Sequence, residues 1–187
     1  MRIIGGDRRG LKLANVGEGD AQAHLRPTTD RVRESIFNLL INGTHGNPVP
    51  GARVLDLFAG TGALGLEALS RGAARAAFVD DGAAALALLR RNIGLMRAED
   101  TTDIWRRNAT NMGPCRGAGY DLIFMDPPYG MGLGERAIAS CLTNGWIAPG
   151  AMLVWEETAP PLVPSALEQI DQRRYGDTTI TLARSPT

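Results

Sequence analysis

The sequence predicts an α/β fold, a parallel sheet with helices on both faces, from three observations. From Gly51 onward strand-like and helix-like patterns alternate, the signature of that architecture. The stretch Val54-Leu55-Asp56-Leu57-Phe58-Ala59-Gly60-Thr61-Gly62-Ala63-Leu64-Gly65 reads as an apolar strand, a tight glycine turn and a helix start in immediate succession. A second apolar strand, Leu122-Ile123-Phe124-Met125, runs into Asp126-Pro127-Pro128-Tyr129.

Bulk properties bound the rest. At 187 residues the chain holds one α/β domain with a full core and a short appendage, not two ordinary domains. The expected division is an N-terminal hairpin arm and helix over residues 1–50 and a main domain over 51–187. Hydrophobic residues make up 44% and charged residues 21%. No apolar run approaches the roughly 18 residues that span a bilayer, and the opening residues lack the apolar core of a secretory signal. A cytoplasmic protein without membrane attachment is therefore expected. Cys115, Cys141, His24 and His45 are far apart, so neither a metal site nor a Cys-His catalytic pair is expected. The formal net charge is zero, which argues against holding nucleic acid by bulk electrostatics and requires any basic patch to be local.

Residues 1 to 25 read as an extended arm. The short apolar pieces Arg2-Ile3-Ile4 and Leu11-Lys12-Leu13 flank the turn Gly5-Gly6-Asp7-Arg8-Arg9-Gly10, a hairpin pattern. Over residues 1 to 33, Arg2, Arg8, Arg9, Lys12, Arg26, Arg31 and Arg33 outnumber Asp7, Glu18, Asp20 and Asp30. Paired arginines at a hairpin tip can neutralise phosphates on a structured RNA. They can equally keep an exposed hairpin edge from aggregating. A helix then starts at Thr28 to Asp30, where a short oxygen-bearing side chain caps free N–H groups. Val32, Ile36, Leu39 and Leu40 form its apolar stripe, leaving Arg31, Arg33 and Glu34 elsewhere. The segment Gly43 to Gly51, with Pro48 and Pro50, links into the main domain.

In that domain the first apolar run ends at Asp56. The glycines that follow let the backbone pass close to a ligand, and the helix from Leu64 to Ser70 starts with its free N–H groups facing the same space. Gly60, Gly62 and Gly65 satisfy the G-x-G-x-x-G spacing, which fits a dinucleotide or another adenosine-bearing cofactor. A second strand, Arg75 to Asp80, ends 20 residues after Gly60, where one carboxylate can accept both ribose hydroxyls. Asp81 is the natural N-cap of the Ala-rich helix that runs to about Met96. Thr101 to Arg107 makes a third strand, followed by Asn108-Ala109, where Asn108 can meet an adenine edge or serve simply as a turn-former. Tyr120 to Met125 is the fourth strand. Gly130 to Gly134 is a glycine-rich loop, Glu135 to Leu142 a helix, and Ala151 to Glu156 a fifth strand. Ile170 to Tyr175 and Thr178 to Ala183 flank Gly176-Asp177 as a final hairpin.

Ligands and chemistry collect at the carboxyl edge of a parallel sheet, where Asp126 stands. Two successive prolines fix the backbone and remove its N–H donors, shaping a turn that accepts hydrogen bonds. A carboxylate and a neighbouring carbonyl can grip an exocyclic amino group, and a tyrosine ring offers a face on which a base stacks. The amino lone pair of a nucleobase is delocalised, so acceptors aimed at its hydrogens and alignment with an electrophile provide most of the catalysis. The electrophile such a site calls for is the methyl group of S-adenosylmethionine at the glycine corner. Asp126 relays the proton after transfer, since an ordinary Asp is too weak a base to deprotonate an aryl amine first.

In these motifs the sequence resembles the bacterial small-subunit rRNA guanine-N2 methyltransferases that modify guanine 966 of 16S rRNA, the RsmD-like family. The resemblance rests on Met1-Arg2-Ile3-Ile4-Gly5-Gly6, Arg26-Pro27-Thr28-Thr29-Asp30-Arg31-Val32-Arg33-Glu34, Asp56 to Gly62 with Leu64 to Ala73, and Asp126 to Tyr129. It implies a class I S-adenosylmethionine-dependent, Rossmann-like fold with a mostly parallel seven-stranded sheet. The implied cofactor-binding residues are Asp56, Phe58, Ala59, Gly60, Thr61, Gly62, Asp80, Asp81, Asn108 and Ala109. Asp126, Pro127, Pro128 and Tyr129 would hold the guanine amino group. Arg2, Arg8, Arg9, Lys12, Arg26, Arg31 and Arg33 would contact 16S rRNA. A neutral chain with only a local basic surface fits rRNA within a partly or fully assembled small subunit, and a monomer is expected. Asp80 stands where many relatives carry Glu, and Asn108 replaces an acidic residue common in methyltransferases. Three alternatives stay open at this point: an adenine-N6 methyltransferase on DNA or RNA, which would use the same grip; an NAD-dependent oxidoreductase; and an inactive RNA-binding module. The oxidoreductase lacks a Tyr-x-x-x-Lys pair and leaves Asp126 to Tyr129 unexplained. Against the inactive module stand an intact Asp126 and Gly60-Thr61-Gly62.

Overall fold

In the computed structural model, which describes residues 1–15 and 29–187, the main domain alternates strand and helix as its sequence pattern requires. Helix α1 (Asp30–Asn42) is capped by Thr29, whose hydroxyl accepts from the Val32 N–H at 3.3 Å. Strand β1 (Arg53–Leu57), helix α2 (Ala63–Ser70), strand β2 (Arg75–Asp80) and helix α3 (Ala83–Met96) follow. Strands β3 (Thr102–Arg106) and β4 (Tyr120–Met125) precede helix α4 (Leu133–Thr143). The chain ends with β5 (Ile147–Glu157), β6 (Glu168–Tyr175) and β7 (Thr178–Arg184). The seven strands form one sheet in the order β3-β2-β1-β4-β5-β7-β6. All neighbouring pairs from β3 to β5 are parallel, and the last hairpin runs antiparallel. The strand order therefore reverses beside β1, where a parallel sheet opens its ligand crevice.

Strand alternation divides the core in two. Val54, Phe78, Leu122, Phe124, Met152 and Val154 point to one face and pack with α1, α2 and α3. Leu55, Leu57, Val79, Ile123, Met125, Leu153 and Trp155 point to the other, covered by α4 and Trp146. The central strands are apolar on both faces because helices cover both.

Several boundaries and faces differ from the sequence expectation. The first strand runs through Asp56 to Leu57, so Asp56 is an interior strand residue and not its end. The fifth strand starts at Ile147, ahead of the expected Ala151, with a register shift against β4 between Tyr120 and Leu122. Arg33, Ile36, Phe37 and Leu40 are the buried face of α1, whereas Val32 and Leu39 lie at its half-buried margin. Asp81 does not cap α3: Gly82 occupies the cap position, and it is the Asp80 carboxylate that accepts the Gly82 N–H at 2.8 Å.

The N-terminal segment does form a hairpin, through the antiparallel bridge between Arg2 and Lys12 and the bonds Ile3 N–H to Leu11 O and Gly10 N–H to Ile3 O. It lies packed against the domain. Ile3 and Leu13 join the same core as α1 and the sheet. Glu67 on α2 accepts the Ile4 and Gly5 N–H groups, each at 2.8 Å. Ser70 receives the Arg8 N–H on its hydroxyl and the Asp7 N–H on its carbonyl. Gly6 is required here: its φ is +75°, and a Cβ would collide with the Ser70 carbonyl. Residues 1–15 and 29–50 thus share one core with the main domain. Among the described residues no helix is long and apolar enough to cross a membrane.

Candidate active site

The glycine turn is built by the exit of β1. Phe58 adopts φ +58°, an uncommon conformation for a side chain of its size, and Gly60 and Gly62 follow at +53° and +77°. The turn closes through the Ala59 N–H to Val79 O and the Gly62 N–H to Ala59 O. A Cβ on Gly62 would strike Leu89, and one on Gly65 would strike the Phe78 ring. These two positions must be glycine for α2 to start directly over the sheet.

Two carboxylates hold the turn from different sides. Asp80, half-buried at the end of β2, accepts the Gly60 N–H on Oδ2 and the Gly82 N–H on Oδ1, both at 2.8 Å. It thereby joins the glycine turn to the start of α3, with acceptor capacity remaining on both oxygens. Asp56 is 3% exposed and accepts the Gly65 N–H on Oδ2 at 2.9 Å. Burial, and secondarily the charge of Asp80, push its pKa up to about 8. Asp56 therefore secures the corner from within the core. Thr61 and Ala59 are buried, and Asp81 is exposed.

Across β1, the register Leu57 to Met125 brings the β1 exit and the β4 exit side by side. The Asp126-Pro127-Pro128-Tyr129 turn therefore starts next to Phe58. Pro127 is buried, Pro128 exposed, and Asp126 and Tyr129 are half-buried. The Tyr129 hydroxyl donates to Glu156 Oε1 at 3.1 Å. Burial raises the Tyr129 pKa far above its ordinary value, reinforced by the charges of Asp126 and Glu156, so the phenol stays protonated and keeps donating. On the far side, Asn108 is exposed and accepts the Thr110 N–H and hydroxyl on Oδ1, at 2.9 and 2.7 Å. It is the turn-former in this structure, and the neighbouring Ala109 is buried.

The expected RNA-contacting residues divide. Arg2, Arg8, Arg9, Lys12 and Arg31 are exposed along the hairpin and the first turn of α1. Arg26 lies outside the described residues. Arg33 is the correction: it is fully buried. Its Nη2 donates to Arg2 O at 2.5 Å and to Asp30 Oδ1 at 2.7 Å, and its Nε lies 3.9 Å from Glu67. It fastens the hairpin to α1 and α2 and cannot reach a phosphate. A cleft of about 200 Å³ opens between the hairpin and α1, and Arg2, Arg9, Asp30 and Glu34 contribute to its lining. Its mixed charge interrupts the basic surface.

Three residues outside the expected set support the site. Glu67 is the lone charge in a helix buried almost all round, a pattern that itself signals a paired group. Asn92 is fully buried, accepts the Ala14 N–H at 2.7 Å and donates to Ala14 O and Thr61 O. It ties the hairpin to the glycine turn, and no local pattern announces it. Glu156 follows the apolar run of β5 as Asp126 follows that of β4, and the same carboxyl-edge rule finds it in the sequence.

A family model described as Conserved hypothetical protein 95 matches residues 1–184. The ribosomal RNA small subunit methyltransferase D of Escherichia coli K12 is 40% identical over 168 residues, covering 88% of this chain and 80% of that protein. Its namesake in Haemophilus influenzae is 34% identical over 168 residues, covering 87% and 82%. Among solved structures, the Escherichia coli yhhF protein, named provisionally as a methyltransferase, superimposes with a TM-score of 0.84 at 36% identity, covering 100% of this chain and 98% of that one. The fold is that of a class I, Rossmann-like methyltransferase. The chain belongs to the Conserved hypothetical protein 95 family, which includes ribosomal RNA small subunit methyltransferases.

Proposed function

We propose that the protein transfers a methyl group from S-adenosylmethionine to the exocyclic N2 of a guanine in 16S rRNA, guanine 966 by the family resemblance. It would act in the cytoplasm as a monomer, on a partly or fully assembled small subunit. The observation that carries this reading is the placement of Asp126 to Tyr129 beside the glycine turn, at the crevice where the strand order reverses. The names of the relatives support rRNA as the substrate.

The residues fit the cofactor. Gly60, Thr61 and Gly62 offer a side-chain-poor surface, Asp80 has acceptor capacity for ribose hydroxyls, and Asn108 and Ala109 border the adenine side. When bound, the cofactor supplies a sulfonium methyl open to in-line displacement. Asp126 and the Pro127 carbonyl accept from the guanine amino hydrogens and favour a pyramidal nitrogen with an available lone pair. Tyr129 stacks on the base, and Asp126 takes the proton released after transfer. Arg2, Arg8, Arg9, Lys12 and Arg31 meet RNA phosphates.

The test is transfer of labelled methyl from S-adenosylmethionine to small-subunit particles lacking the modification, with the product nucleoside identified and Asp126→Ala run in parallel. N2-methylguanine that disappears in the variant supports both reaction and site. N6-methyladenine would retain the chemistry and overturn the substrate. No transfer to either base, despite cofactor binding, would refute the activity.

A further inference from the structure

Near its carboxyl end the apolar strand β5 carries a carboxylate, Glu156, that no step above uses. β4 and β5 are parallel neighbours with Phe124 paired to Val154 and Met125 to Trp155, so the next residues, Asp126 and Glu156, stand side by side at the crevice. Phe124 and Val154 belong to the core on the α1–α3 face, and Met125 and Trp155 to the opposite core. Alternation therefore turns Glu156 to the α1–α3 face, the face toward which Asp56 and Asp80 also point. Its β7 partner Ile180 lies in the same core, as that orientation requires. Glu156 is 3% exposed and is held in a strand between β4 and β7, and its Oε1 already accepts from the Tyr129 hydroxyl at 3.1 Å. A carboxylate offers about four lone-pair sites and can serve several donors at once.

We propose that Glu156 is the specificity-determining residue of the site, the acceptor that reads the N1–H of guanine. This rests on the guanine reading above. Guanine presents N1–H and N2–H₂ as adjacent donors on one edge, whereas adenine presents an acceptor at N1 beside its amino group. Asp126 alone can hold the amino group of either base. A second carboxylate one strand away completes an acceptor pair matched to guanine's two donors, and it faces the N1 lone pair of adenine with repulsion. A buried acceptor left opposite another acceptor is costly, which is how such sites reject a close analogue. The phenol of Tyr129 donates to the carboxylate and keeps it oriented while the ring remains placed for stacking.

The experiment uses small-subunit particles in which the nucleotide that the wild-type protein methylates is either guanine or 2-aminopurine. The analogue keeps the N2 amino group and replaces the N1–H donor with an acceptor. Methyl transfer to each is measured for the wild type, E156Q and E156D. The wild type is expected to prefer guanine, and E156Q, whose amide can donate to N1 of the analogue, is expected to lower that preference by at least about tenfold. E156D, still an acceptor, retains more of the preference than E156Q. A loss of folding or of Tyr129 placement would lower both rates by the same factor and leave the ratio unchanged. An unchanged ratio in E156Q overturns the proposal, as does a wild-type protein that methylates 2-aminopurine as well as guanine, a result that needs no variant to fold. If the wild type methylates no guanine at all, the parent reading fails as well, which separates the two failures.

Discussion

Replacing Asp56 with asparagine should make the protein's stability less dependent on pH and raise it at alkaline pH. The carboxyl is buried beneath the glycine corner, and its folded-state pKa is pushed up to about 8 by burial first and by the charge of Asp80 after it. An unfolded chain ionises the same group near 3.9. Between those values only the folded state holds the proton. The stabilisation is therefore fully present below the unfolded value and is lost as pH rises through the folded one. The slope for one group is about 1.4 kcal/mol per pH unit, which gives a loss of up to about 4 kcal/mol between pH 5 and pH 8. Asparagine keeps an oxygen to accept the Gly65 N–H, now at 2.9 Å, and has no proton to lose. The assay is urea unfolding of both proteins at pH 5, 6.5 and 8. The stability difference, variant minus wild type, should climb with pH over that window. A difference that stays flat would show that Asp56 titrates alike in both states and would refute the reasoning.

Arg33→Ala should destabilise the protein by about 3–5 kcal/mol, because it leaves the fully buried Glu67 without one of its cationic neighbours. Arg33→Met, which refills the volume, should cost less in the same unfolding assay, and a weaker salt dependence of RNA binding in the folded variants would contradict the buried role. Alanine at both Arg8 and Arg9 should reduce the slope of log affinity against log salt by about 1 to 2 for small-subunit particles, with cofactor binding unchanged. An unaltered slope would remove the hairpin tip from the RNA interface.

The main domain was legible because its central strands are short, largely apolar runs closed by a carboxylate, a glycine turn or a proline. The bounds of β2 and β4 follow from Arg75 to Asp80 and Tyr120 to Met125 as the residues read. Local chemistry also located the two turns at the β1 and β4 exits, since only small or rigid residues suit a backbone that must approach a ligand. The burial of Arg33 is not legible for the converse reason. An arginine in a helix start is ordinarily a surface residue, and its burial depends on Asp30 nearby and on Glu67 on the next helix. Asp56 reads as the end of a strand in one dimension, and only the packing of α2 over β1 encloses it. Asp81 precedes its helix as a cap should, yet Gly82 holds the cap position without a side-chain bond, and Asp80 joins Gly82 to Gly60 instead.

By itself the sequence determined the alternation of strands and helices, the glycine corner, the Asp-Pro-Pro-Tyr turn and the family resemblance, all of which depend on residues adjacent in the chain or spaced by one helical or strand period. Tertiary structure decided which charges face solvent, how the N-terminal hairpin is pinned through Glu67, Ser70 and Asn92, and that Glu156 meets Tyr129. Those pairings span about 30 to 80 residues of chain. Burial and hydrogen bonding between such distant groups are set by the register of the sheet and the packing of helices upon it, which no local pattern carries.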